Sequence, residues 1–227
     1  MKHINTYITE KLKISKAKKV EHTLFPKDKK ELQQMIKNEI QQNGNLCSLN
    51  HIDTSKITTM KELFDNSSFN GDISQWDVSN VTDMSFMFKK SDFNGDISNW
   101  DVSNVIKMRA MFWDSKFNGN ISEWSVSNVE DMAAVFWHSQ FNNDISNWDV
   151  SNVETMSHMF YYSNFNQDIS RWDVSKVTWM NGMFENSNFN QDISRWDINK
   201  NCKTNEMFIN CAIDEKYKPF KNGKRID

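Results

Sequence analysis

The sequence predicts an α/β repeat protein: a solenoid of 24-residue strand–helix coils with a helical cap at its N-terminal end. Three observations predict it. The stretch Phe69–Phe88 reads FNGDISQWDVSNVTDMSFMF, and the same unit restarts at Phe93, Phe117, Phe141, Phe165 and Phe189 without an insertion. Each unit divides into two halves with different apolar spacing. A segment with helix start and stop signals precedes the first unit. A fixed period in the range of about 20–50 residues marks stacked coils, because one unit cannot bury its apolar side alone.

The elements follow in order. Ile4, Ile8 and Leu12 have helical spacing, and Phe25-Pro26 is a turn signal because the residue before proline avoids the helical region. Asp28 and Glu31 form a capping box, Leu32, Met35, Ile36 and Ile40 share one face, and Asn43-Gly44 stops the helix. Residues 1–45 are therefore read as a helical leader and cap. Residues 46–211 are read as about seven coils, with degenerate coils at both ends. Residues 212–227 are read as a basic tail.

Within a coil, Val81, Met84, Met87 and Phe88 follow the 0, 3, 6, 7 spacing of one helix face. Ser79 is placed to cap that helix, and Ser127–Glu130 and Ser151–Glu154 complete capping boxes. Ile73, Trp76 and Val78, in the half from Asp72 to Val78, suit a short strand, so successive coils would form a parallel sheet about 4.8 Å apart. The asparagines at 70, 94, 118, 142, 166 and 190 stack as amides that serve the corners.

Composition excludes several classes. The formal net charge is −3. Residues 1–45 carry ten lysines against five acids, and residues 212–227 carry five basic against three acidic groups, so the repeats hold a surplus of ten acids. An acidic body does not suit a phosphate backbone, and no nucleic-acid partner is expected. No stretch of about 18 apolar residues is present, so no membrane insertion is expected. Residues 1–25 show no apolar signal core, which makes a cytoplasmic location the default. Cys47, Cys202 and Cys211 lie outside the regular coils and show no metal spacing; pairing of Cys202 with Cys211 stays open.

Catalytic and metal chemistry find no support in the residues. His3, His22, His51, His138 and His158 fit no ligand motif, and no P-loop, G-x-S-x-G or dinucleotide fingerprint is present. Two aspartate rows, led by Asp72 and Asp77, break at Asn120 and Ser125. They suit turn capping better than calcium, which takes about 6–8 oxygens per ion. The methionine columns suit adaptable core filling. No cofactor, metal or enzymatic activity is expected.

Two variable columns remain as binding candidates. The residue after each M-x-x-M-F pattern becomes Trp113, Trp137 and Tyr161, followed by Tyr162, with Lys89 and Glu185 at the margins. On a helical wheel this column lies about 130° from the buried stripe and should be largely exposed. The residue before each core tryptophan reads Gln75, Asn99, Glu123, Asn147, Arg171 and Arg195, on the expected sheet face.

The unit W-D-V-S-N-V-x-x-M-x-x-M-F followed by F-N-x-D-I-S, over residues 46–211, closely resembles the BspA-like leucine-rich-repeat family, including the repeat described in mycoplasma lipoproteins. The resemblance implies a leucine-rich-repeat-like solenoid with a strand and a short helix per coil. It also implies a surface protein of bacteria or some protists, linked to adhesion and protein binding. This chain departs from the pattern in showing no signal peptide or lipobox cysteine. Residues 1–45 resemble the leader of short members from gut Bacteroidetes and their phages. The expected function is a monomeric, non-enzymatic protein-binding or adhesion-type scaffold with an unknown protein partner. The alternative is a passive structural or display component of a bacterial surface, phage or mobile element.

Overall fold

A computed structural model describes residues 21–227. The pattern at Ile4, Ile8 and Leu12 lies outside the described residues. Leu24 opens the described fold by pairing in parallel with Ile52. Helix α1 follows at Lys29–Asn43. The Asp28 carboxylate accepts the Glu31 N–H at 2.9 Å. Glu31 reaches back to the Lys27 N–H, also at 2.9 Å, one residue before the donor a standard capping box uses. Gly44 ends the helix at φ +83°, a conformation that favours glycine, and its N–H meets the Ile40 carbonyl. Leu32 and Ile36 are buried in the core cluster that also holds Leu49, Ile52 and Phe64.

The 24-residue period governs everything that follows. Isolated parallel bridges join Thr59, Asp83, Lys107, Asp131, Thr155, Trp179 and Lys203 in sequence. These bridges sit beside the expected helix, and the expected helix does not form. Met87, Lys89 and Ser91 donate to the carbonyls three residues back, at 3.1–3.2 Å. Met84, Phe86, Phe88 and Lys90 instead donate to Lys107, Arg109, Met111 and Trp113 of the next coil, at 2.7–2.9 Å. The backbone is a run of turns whose alternate N–H groups point along the stack.

A right-handed helix is blocked at two positions per coil. Phe86 has φ +60° and Lys90 has φ +52°, and the equivalents in the other coils, such as Ala134, His138, His158 and Tyr162, match them. A left-handed non-glycine residue costs about 1–2 kcal/mol. Four inter-coil hydrogen bonds, each worth about 0.5–1.5 kcal/mol net, together with buried side chains at every turn, offset that cost. The 0, 3, 6, 7 spacing is thus shared by a helix and by this succession of turns.

The expected strand at Asp72–Val78 does not form either. Asp72 Oδ1 accepts the Ser74 N–H at 2.9 Å, and Asp77 Oδ1 accepts the Ser79 N–H at 3.0 Å. D-I-S and D-V-S are therefore side-chain-capped turns, closed by Trp76 N–H to Ile73 and Val81 N–H to Val78. No helix follows Ser127 or Ser151, so the capping boxes expected there do not form. The Gln75–Arg195 column accordingly lies on turns and not on a sheet.

Side chains join the coils on this turn half. Each core indole from Trp76 to Trp196 donates to a carbonyl 27 residues earlier, as Trp148 does to Ile121 at 3.0 Å. Asn104 donates to the Ser79 carbonyl, and Asn128 to that of Ser103. The Asn70 column is a ladder: the amide oxygen of each asparagine accepts the backbone N–H of the next, at 2.8–2.9 Å. Between the two halves, phenylalanine rings stack from coil to coil; Phe88 lies 4.5 Å from Phe93 and 5.6 Å from Phe112, centroid to centroid.

Residues 212–227 are folded against the last coil, which corrects the reading of a basic tail. Strands β1 (Phe220–Lys221) and β2 (Lys224–Arg225) pair antiparallel across Asn222-Gly223, both at positive φ, the preferred chemistry of a two-residue hairpin. Ile213 and Ile226 are buried. The basic groups serve this fold. Arg225 Nη1 donates to the carbonyls of Glu215, Lys216 and Lys218 at 2.8–3.0 Å. The Lys218 ammonium lies 5.6 Å from the centre of the Phe208 ring, and the Lys221 ammonium meets the Cys202 carbonyl.

Candidate functional site

The turn ladder places one variable side chain per coil in a continuous column. Trp113 and Trp137 stack with centroids 4.9 Å apart, and Tyr161 tilts against Trp137 at 4.7 Å. Tyr162 follows at 4.7 Å from Tyr161 and is 52% exposed. Trp113, Trp137 and Tyr161 are half-buried, not largely exposed. The correction follows from the turn geometry. The rings lie along the stack and cover one another, whereas a helix would have pointed them into solvent.

Charge brackets the row. Lys89 holds its ammonium 5.5 Å from the Trp113 ring and 3.2 Å from Asp65 Oδ2. Glu185 stands at the other end. Desolvation, and then the Glu185 carboxylate, push the Tyr161 hydroxyl above its ordinary pKa. Beside the row runs an open groove of about 520 Å³, lined by Asp114, Lys116, His138, Gln140, Tyr162 and Asn188 among others. In it, His138 Nδ1 lies 2.7 Å from Asp114 Oδ1.

One member of this surface was not legible in the sequence. His158 stacks on Trp137 at 5.4 Å and meets Tyr161 edge-on at 5.6 Å. Its column, which also holds Ala110, Ala134 and Gly182, has positive φ throughout, and only that geometry turns it toward the aromatic row. A Cβ on Gly182 would come 2.7 Å from the His158 ring. Trp179, 50% exposed on the bridge column, is a further aromatic outside both candidate columns. The second candidate column, Gln75, Asn99, Glu123, Asn147, Arg171 and Arg195, is exposed in every coil, one residue before each core indole.

The aspartate rows are engaged in their turns. The N–H and then the hydroxyl of Ser146 hold the Asp144 carboxyl below its ordinary range. Ser98 does the same for Asp96 and Ser170 for Asp168. At the break in the row, Asn120 Oδ1 accepts the Ser122 N–H at 3.0 Å, so the amide fills the same role. Among the described residues, no three His, Cys, Asp or Glu side chains converge on a point that could hold a metal ion. The three cysteines are free. Burial pushes the Cys202 thiol to about 11. No helix among the described residues is long and apolar enough to cross a membrane.

Fold and surface together define a repeat protein of stacked 24-residue coils carrying a row of partly exposed aromatic side chains. The chain belongs to the family described as Mycoplasma protein of unknown function, DUF285, whose model matches it twice, over residues 30–140 and 114–219. No curated protein and no solved structure matches it.

Proposed function

We propose that the chain is a non-enzymatic protein-binding scaffold that engages its partner through the row Trp113, Trp137, Tyr161 and Tyr162. The observation that carries this reading is the local aromatic run itself. Three successive coils place stacked rings in one column, and the coils on either side place Lys89 and Glu185 there. Apolar surface with polar margins suits a contact site, and tryptophan and tyrosine are over-represented among residues that carry binding energy. The likeness of the repeat to the BspA-like leucine-rich-repeat family supports an adhesion-type role.

The test compares capture of a host partner by the intact chain and by variants. Tyr162→Ser, at the exposed end of the row, should leave folding unchanged and weaken capture. The triple change Trp113→Ser, Trp137→Ser, Tyr161→Ser should abolish capture. It should also cost about 2–4 kcal/mol, since each aromatic pair is worth about 0.5–1.5 kcal/mol beyond its burial. Capture that survives in a folded triple variant, but is lost in Arg171→Glu/Arg195→Glu, would move the contact face to the Gln75–Arg195 column. A second reading, a passive structural component, is favoured by hydrogen bonds that continue unbroken through every coil.

A further inference from the structure

The turn ladder has a direction. At every coil junction from the first to the last, four N–H groups of one coil donate to four carbonyls of the next, at 2.7–3.0 Å. The donors are the equivalents of Met84, Phe86, Phe88 and Lys90, and the acceptors are the equivalents of Asp83, Ser85, Met87 and Lys89. In this column one side of each coil therefore offers donors and the opposite side offers acceptors, while flanking bonds such as Ile106 N–H to the Thr82 carbonyl run the other way.

The two ends of the stack are left complementary. In the last coil, the N–H groups of Thr204, Glu206, Phe208 and Asn210 have no hydrogen-bond partner among the described residues. In the first coil, the carbonyls of Thr59, Lys61, Leu63 and Asp65 have none. These eight groups occupy the positions that pair at every internal junction. The terminal elements cover the core beside these edges: Lys218 sits over Phe208, and α1 buries Leu32 and Ile36. Between α1 and the acceptor edge an open groove of about 950 Å³ remains, with Ile36, Ile40, Leu63 and Phe64 in its lining. The donor edge brings Ile209, 44% exposed, as an apolar side chain to enter it.

The geometry points to a second copy of this chain as the occupant: the donor edge Thr204–Asn210 of one molecule docks on the acceptor edge Thr59–Asp65 of another, head to tail. Unpaired backbone edges are templates for pairing with another chain. Along this column alone the docked contact would form the same four bonds as an internal junction, and Asn210, which already donates to Asn186 at 2.9 Å, would meet Asn66 of the second copy. Each added copy presents a fresh edge, so the contact propagates and does not close. This departs from the monomer expected from the sequence, and it makes no use of the aromatic row. One column opposes the contact: exposed Glu206 would face exposed Glu62 of the second copy.

That opposition supplies the test, in sedimentation velocity of the full chain over a concentration series. The average mass should rise with concentration. Glu206→Lys should lower the concentration of half-association about 3- to 10-fold, as expected for turning a like-charge cross-strand pair into an opposite one. Glu62→Lys should do the same, and the double variant should return toward the parent. Thr204→Pro removes a donor that has no internal partner, and it should weaken association with the melting temperature unchanged. A chain that stays monomeric at all concentrations, with and without Glu206→Lys, overturns the proposal. So does association that ignores the Glu62 and Glu206 charges.

Discussion

Asp144 shows how little each residue contributes alone and how specific that contribution is. One carboxylate oxygen holds the Ser146 N–H at 2.8 Å and thereby fixes a turn. The folded carboxyl is depressed below the unfolded value of about 3.9. Its stabilisation is therefore complete above that value and is lost as pH falls through the folded pKa. With Asp96, Asp101, Asp168, Asp173 and Asp192 shifted the same way, urea midpoints should fall steeply below about pH 4. Asp144→Asn and Asp168→Asn, which copy Asn120, should make that fall shallower in midpoints taken from pH 7 to 3. Trp148 does two jobs, filling the core and donating to the Ile121 carbonyl. Trp148→Ala should cost about 3–5 kcal/mol. Trp148→Phe, which keeps a ring but removes one of the two hydrogen bonds on the Ile121 carbonyl, the other coming from the Trp124 N–H, should still cost about 0.5–1.5 kcal/mol in urea unfolding. The buried columns and the asparagine ladder were legible because identical residues at a fixed period must meet their own copies.

At the scale of elements the sequence was legible where signals are local and misleading where two structures share a spacing. The Asp28–Glu31 cap and the Gly44 stop were readable one by one. Val81, Met84, Met87 and Phe88 were not decisive, because a helix and a succession of three-residue turns bury the same positions. Nothing in the one-dimensional pattern marks Ala134 as left-handed, and the expected exposure of Trp113 and Trp137 failed with the helix. Glycine separates the two geometries. In a helix interior it is worse than alanine by about 1 kcal/mol. At φ +59° it relieves strain, so Ala134→Gly should be neutral or stabilising by up to about 1 kcal/mol. Gln33→Gly on the exposed side of α1 should cost about 0.5–1 kcal/mol. Equal losses in thermal melts would restore the helix. The hairpin at Phe220–Arg225 escaped notice because strands of two residues are shorter than any alternation that can be read.

Across the whole molecule, contacts run mainly between neighbouring coils, so stability should depend on position. Trp196→Ala, in the last regular coil, should cost less than Trp148→Ala in the middle, since it disturbs fewer stacked neighbours. Equal losses would mean that the stack unfolds without regard to its ends. The same periodicity has an optical consequence. Trp76 and Trp100, Trp100 and Trp124, and Trp172 and Trp196 hold their rings nearly parallel at 6.4–6.5 Å, while Trp113 and Trp137 lie at 4.9 Å. Indole transitions held this close and in fixed orientation couple, and they split the circular dichroism into bands of opposite sign. With α1 the one α-helix among the described residues, the ultraviolet spectrum of this protein should be written largely by its tryptophans.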